Sequence, residues 1–143
     1  MPIASILVLC TGNSARSQMG EGILRSLDPR LEVHSAGTLP AARVHPAAVE
    51  AMREIGIDIA GAAPKSVERF LARPFDHLIT VCGEADRACP TFQGLVRRRV
   101  HMGFEDPARA TGCDAEVLAA FRGVRDQIRA RLTEYYNKEI HHE

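Results

Sequence analysis

The hydrophobic positions of this chain alternate between two kinds of pattern. Residues 3–10 form an almost unbroken apolar run ending in a glycine-containing turn, as expected of a strand buried on both faces. Met19, Ile23, Leu24 and Leu27 then recur at helical spacing until Asp28-Pro29 closes the helix. Residues 31–35 predict a second short strand ending at Gly37. His45-Pro46 opens a helix whose stripe of Val49, Met52 and Ile55 stops at Gly56, and residues 66–71 predict a short helix. Residues 76–81 predict a third strand, again ending at a Cys-Gly turn. Residues 83–95 read as irregular and 98–102 as a weak fourth strand. The last third predicts one long amphipathic helix with Val117, Leu118, Phe121, Val124, Ile128 and Leu132 on one face.

Strands alternating with helices predict an α/β three-layer sandwich with a four-stranded parallel sheet and right-handed crossovers. No repeat or linker divides the chain, so one domain over residues 1–143 is expected, and a monomer. Ligands of such sheets sit at the carboxyl ends of the strands. Cys10 and Cys82 both stand there, as do the residues after the fourth strand.

Composition narrows the partners. Hydrophobic residues are 45% and charged residues 25%, which excludes disordered and low-complexity classes. Lys+Arg and Asp+Glu are both 18, so the basic excess of a nucleic-acid binder is missing, and any anion handled must be small and locally held. No apolar run approaches the roughly 18 residues of a membrane span. Ile6-Leu7-Val8-Leu9 is too short for a signal-peptide core. A cytoplasmic location without a membrane partner is therefore expected. There, Cys10, Cys82, Cys89 and Cys113 point to catalytic, redox or metal chemistry rather than structural disulfides.

The stretch Cys10-Thr11-Gly12-Asn13-Ser14-Ala15-Arg16-Ser17 lies between a buried strand and a helix. A cysteine and an arginine with five residues between them, curled around a helix N-terminus, make a cradle for a tetrahedral oxyanion. The backbone N–H groups from Thr11 to Arg16 line it, Gly12 lets the loop fold back, and Arg16 offers a two-pronged donor. The same field is expected to lower the Cys10 thiol pKa, with Ser17 adding a hydroxyl donor to the sulfur. A buried cysteine beside a surface arginine is the plainer alternative; the strand, the helix and the Gly-Asn-Ser filling weigh against it. Asp106-Pro107 follows the fourth strand, within reach of the cradle's mouth or simply as a surface turn. Cys82 and Cys89, with six residues between them, leave three readings open: a redox pair, a zinc site completed by a histidine, or buried thiols. Their spacing is not that of structural zinc ligands, and no metal is expected.

Residues 8–19 closely resemble the active-site loop of the low-molecular-weight tyrosine phosphatase superfamily, and within it the thioredoxin-coupled arsenate reductases. The likeness continues, in order, through Ser35-Ala36-Gly37, Gly56-Ile57-Asp58-Ile59, Val81-Cys82-Gly83-Glu84-Ala85-Asp86, Cys89-Pro90 and Gly103-Phe104-Glu105-Asp106-Pro107. The resemblance implies that Cys10 attacks arsenate while Asp106 acts as general acid. Cys82 then attacks the adduct, arsenite leaves, and a Cys10–Cys82 disulfide passes to Cys82–Cys89. Reduced thioredoxin is the implied electron donor, with no bound cofactor, and phosphate and sulfate the competing oxyanions. A phosphatase hydrolysing phosphomonoesters through a Cys10 thiophosphate is the alternative, and a non-catalytic oxyanion sensor a third class.

Three departures from the family pattern stand out. Some relatives bind potassium beside the loop; here Asn13, Glu21 and Ser35 match in kind, but Lys65 stands at the carboxylate position, so no potassium requirement is expected. Met102 replaces an aromatic residue ahead of the acid loop, and Ala15 a cysteine that the relay does not need. Cys113 is read as a bystander, His101 as structural, and His141 and His142 as a solvated tail.

Overall fold

The computed structural model describes residues 3–141. Its four strands are β1 (Ala4–Cys10), β2 (Leu31–Gly37), β3 (Phe75–Thr80) and β4 (Val96–His101), all parallel and ordered β2-β1-β3-β4. Ile6, Leu7, Val8 and Leu9 are fully buried, as the unbroken apolar run requires of a central strand covered on both faces. Four helices flank the sheet: α1 (Arg16–Leu27), α2 (Pro46–Arg53), α3 (Gly83–Ala88) and α4 (Asp114–Tyr135). The result is the three-layer sandwich expected. Gly20 of α1 lies where a Cβ would stand 3.3 Å from Val8 and 3.5 Å from Leu132, so a small residue there lets α1 sit close between β1 and α4.

The strand order decides where chemistry can happen. From β1 the chain moves to β2 on one side, and the next strand, β3, pairs on the other. The loops leaving β1 and β3 therefore diverge over a crevice, the usual ligand position of an open parallel sheet. Cys10 ends β1 and Cys82 follows β3 at this crevice.

Three sequence expectations need correcting. Residues 83–95 are not wholly irregular, because Gly83–Ala88 is a helix with Cys82 at its N-cap and Cys89 at its C-cap. The fourth strand starts at Val96, two residues before the expected boundary; it is an exposed edge carrying Arg97, Arg98 and Arg99, so it lacks an apolar signal. The tail is not merely solvated: a π turn over Tyr136–Ile140 buries Tyr136 and Ile140, and the Tyr136 hydroxyl donates to Asp28 at 2.6 Å. His141 lies against Tyr136 with its ring tilted, and His142 lies outside the described residues. Among the described residues no helix is long and apolar enough to cross a membrane.

Candidate active site

The loop after β1 is shaped from outside. The carbonyls of Cys10, Thr11, Gly12 and Ser14 accept hydrogen bonds from the amides of Thr38, Leu39, Ala41 and His45, at 3.1, 2.9, 2.8 and 2.9 Å. In a trans peptide the C=O and the following N–H point in opposite directions. With those carbonyls drawn outward, the amides of Thr11, Gly12, Asn13 and Ala15 face inward, and the Asn13 amide meets the Cys10 sulfur at 3.2 Å. Before His45, which with Pro46 marks the start of α2, the segment 38–45 that zips this loop carries no signal in the sequence. Gly37 is the other hidden requirement: a Cβ there would lie 2.4 Å from the Thr11 carbonyl oxygen and 3.0 Å from the Asn13 nitrogen.

Asn13 is the keystone. It is fully buried with φ 51°, a left-handed conformation that asparagine tolerates better than other side chains. Its Nδ2 donates to Ser17 Oγ (2.7 Å) and Ser35 Oγ (3.0 Å). Its Oδ1 accepts from Gln18 Nε2 (3.1 Å) and the Lys65 amide (2.9 Å). The Ser35 hydroxyl in turn donates to Glu21 Oε1 at 2.6 Å, and Lys65 Nζ stands 3.9 Å from that same oxygen and 3.2 Å from the Ala63 carbonyl. The lysine ammonium thus lies beside Glu21, while it is the Lys65 backbone amide, not its ammonium, that meets Asn13. Glu21 and Ser35, grouped with Asn13 by the resemblance, form a supporting shell with Gln18, whose reach to Asn13 only three dimensions reveal.

Cys10 Sγ lies 2.8 Å from Ser17 Oγ. The expected lowering of its pKa is not met. Burial pushes the thiol up, and the Ser17 and Asn13 hydrogen bonds with the Arg16 charge only partly oppose this. The reason is that β1 ends inside the core, so the sulfur is almost as dry as the strand before it. A thiolate can only accept, so in that form both the Ser17 hydroxyl and the Asn13 amide donate to it.

The remaining groups ring a cleft of ≈ 920 Å³ lined by Thr11, Gly12, Arg16, Cys82, Asp106 and the small residues Ala120 and Gly123 of α4, among others. Arg16 donates to the Phe104 carbonyl at 3.1 Å and stands 3.7 Å from Asp106 Oδ2. Asp106 comes here because the chain after β4 stays zipped to β3, Met102 to Thr80 and Phe104 to Val81. Its other oxygen caps the short turn Pro107–Arg109 through the Ala108 amide. Cys82 is buried, its sulfur 3.3 Å from the Thr11 hydroxyl and 3.4 Å from the Ala85 amide. Cys89 is half-buried at the far end of α3, where burial pushes its thiol up. Cys10, Ser17, Arg16, Asp106 and Cys82 therefore converge, whereas Cys89 stands a helix length away. Cys113, exposed at the start of α4, is apart from them all. Among the described residues no group of three or more His, Cys, Asp or Glu side chains is placed to hold a metal ion.

A sulfur and an arginine over inward-facing amides, at the switch point of a parallel sheet, define a thiol-based oxyanion enzyme class. Residues 5–143 match the low molecular weight phosphotyrosine protein phosphatase family, and the chain belongs to it. Within the family its likeness is to arsenate reductases. It is 46% identical to the arsenate reductase of Halalkalibacterium halodurans over 128 residues, 89% of this chain and 91% of that protein. A solved arsenate reductase in its phosphate binding state superposes with TM-score 0.78 at 33% identity, covering 94% of this chain and 98% of that one. A thioredoxin-dependent arsenate reductase of Corynebacterium glutamicum superposes with TM-score 0.62 at 26% identity, over 96% of this chain and 64% of that one.

Proposed function

We propose that this protein reduces arsenate to arsenite through a Cys10–Cys82–Cys89 relay regenerated by thioredoxin. The observation that carries the reading is the second sulfur: Cys82 reaches the rim of the cradle through Thr11, at 3.3 Å, where a hydrolase needs only one thiolate. The arsenate relatives and the thioredoxin-dependent neighbour support the substrate and the donor.

The anion's oxygens take the inward amides and Arg16. The Cys10 thiol gives up its proton as it attacks, and in the thiolate form the Ser17 hydroxyl and the Asn13 amide donate to its sulfur. Cys10 attacks arsenic, and Asp106 protonates the departing hydroxide to water. Cys82 then attacks the Cys10 sulfur, the electron pair of the S–As bond passes to arsenic, arsenite leaves, and a Cys10–Cys82 disulfide remains. Cys89 attacks Cys82 and frees Cys10. This last step requires α3 to open: seven residues of helical rise separate the two cysteines by roughly 10 Å, whereas disulfide-bonded Cα atoms stand about 4.4–6.8 Å apart.

The test is NADPH oxidation with arsenate, thioredoxin and thioredoxin reductase, repeated with Cys82→Ser and Cys89→Ser. Cys82→Ser is expected to lose even one turnover. Cys89→Ser should release one arsenite per protein and stop as Cys10–Cys82, read by alkylation and mass spectrometry. Multiple turnovers by either variant refute the relay.

A further inference from the structure

Helix α3 has little reason of its own to persist. Six residues are far fewer than an isolated helix needs in water, and of them only Ala85 is buried. Two devices outside its own ladder hold it. The Cys82 sulfur caps its first turn through the Ala85 amide. At its other end Asp86 is gripped from two strands: Oδ1 accepts from the Thr80 hydroxyl of β3 at 3.1 Å and from Arg99 Nη2 of β4 at 3.0 Å. The same Arg99 nitrogen donates to the Asp86 carbonyl at 2.6 Å, one of the carbonyls a helix end leaves without an internal partner. Thr80 is fully buried, and His101 Nδ1 stands 2.9 Å from its hydroxyl. With the hydroxyl proton directed to Asp86, that imidazole nitrogen is the donor, so His101, Thr80 and Arg99 all feed one carboxylate.

Beyond Cys89 the chain is pinned again. The amides of Gln93 and Gly94 both donate to the Leu71 carbonyl, at 2.6 and 3.0 Å. A Cβ on Gly94 would lie 2.2 Å from the Arg73 carbonyl oxygen, so nothing larger fits that pin. Any rearrangement that brings Cys89 to Cys82 is confined between the end of β3 and Gln93, and the Asp86 grip sits in the middle of it.

We propose that Asp86, held by Thr80 and Arg99, is a positioning residue for the last step of the relay: a latch that holds Cys89 at the far end of α3 and sets how fast it reaches the oxidised Cys82. This rests on the relay reading above. In that step the Cys89 thiolate attacks Cys82 Sγ, the Cys10–Cys82 bond breaks, the Cys82–Cys89 bond forms and Cys10 leaves as thiolate. The two electrons have already gone to arsenic, so the exchange is redox-neutral, and the Cys89 proton passes to solvent. The two devices respond differently to this chemistry. Once the Cys82 sulfur is bonded to Cys10 it is a poorer acceptor, the cap weakens, and the latch alone restrains the helix.

The experiment uses the full chain, reduced, mixed with arsenate in the absence of thioredoxin, quenched, alkylated and mapped for disulfides over time. In Asp86→Ala, Cys10–Cys82 is expected to appear at the parental rate, while its conversion to Cys82–Cys89 becomes about fivefold faster, as loss of a partly exposed charge-assisted contact predicts. Arg99→Ala should match it, the double variant should be no faster than either, and Arg99→Lys should restore much of the restraint. Amide hydrogen exchange over residues 85–88 of the reduced protein should rise by a similar factor without arsenate. Asp86→Asn, which keeps the Thr80 bond and loses the charge, gives a smaller acceleration and serves if Asp86→Ala does not fold. Conversion at the parental rate in these variants overturns the latch, and so does faster exchange without faster conversion, which leaves Asp86 structural only. A parent protein that never forms Cys82–Cys89 retires the relay itself, and the role of Asp86 with it.

Discussion

Replacing Asn13 by alanine removes four buried hydrogen bonds at once, and the structure sets what that costs. The lost bonds run to Ser17, Ser35, Gln18 and the Lys65 amide, all between 2.7 and 3.1 Å. At about 1 kcal/mol net each they sum to about 4 kcal/mol, since alanine leaves their partners unsatisfied in a dry site. The backbone adds a second cost: at φ 51° an alanine pays about 1 kcal/mol that glycine avoids. Asn13→Ala should therefore lose about 4–5 kcal/mol and Asn13→Gly about 3–4, a large part of the roughly 5–15 kcal/mol that a domain possesses. Urea unfolding of the three proteins separates the two contributions. Activity should fall further than stability alone explains, because Ser17 loses the Nδ2 donor that helps fix its hydroxyl beside Cys10. A loss below about 1.5 kcal/mol in Asn13→Ala would show that the four bonds are replaced by water, and equal losses in Ala and Gly would remove the backbone argument.

Arg16→Lys keeps the charge but loses the fork that meets two oxygens and the Phe104 carbonyl; arsenate, phosphate and sulfate should each bind about tenfold more weakly by calorimetry, and equal affinity refutes the geometry. With the Lys65 ammonium beside Glu21, sodium and potassium buffers of equal ionic strength should give one melting temperature, and Lys65→Asp should make it respond to potassium; a potassium-specific gain in the parent places the lysine elsewhere. Glu54, which hydrogen bonds from Arg122 and Arg125 hold at about 2 against an ordinary value of 4.5, should be one of the carboxylates that make the fold acid-sensitive. A depressed folded-state pKa gives stability that is present above 4.5 and lost as pH falls toward 2, so Glu54→Gln should flatten denaturation midpoints in that window; an unchanged slope would mean the pair is silent.

What the sequence made legible follows from where the signals are local. The run before Cys10 announces a buried central strand because every position is apolar, and Gly12 with Arg16 marks the cradle because an anion site needs backbone freedom and a fork within one loop. The Cys10 pKa went the other way because its sign depends on how much of the core closes over the sulfur, a sum over α1, β2 and β3 that no window of residues contains. Helix α3 escaped for a related reason. Its pattern offers one buried alanine and no period, and what stabilises it is Arg99, thirteen residues along, reaching back from an edge strand that itself reads weakly because three arginines replace its apolar face. The 38–45 segment is hidden in the same way up to His45, since it contributes backbone amides and any side chains would read alike. A segment held by long-range polar contacts rather than by its own apolar face can open without unpacking the core. Helix α3, held this way, can open, and Cys89 sits at its end.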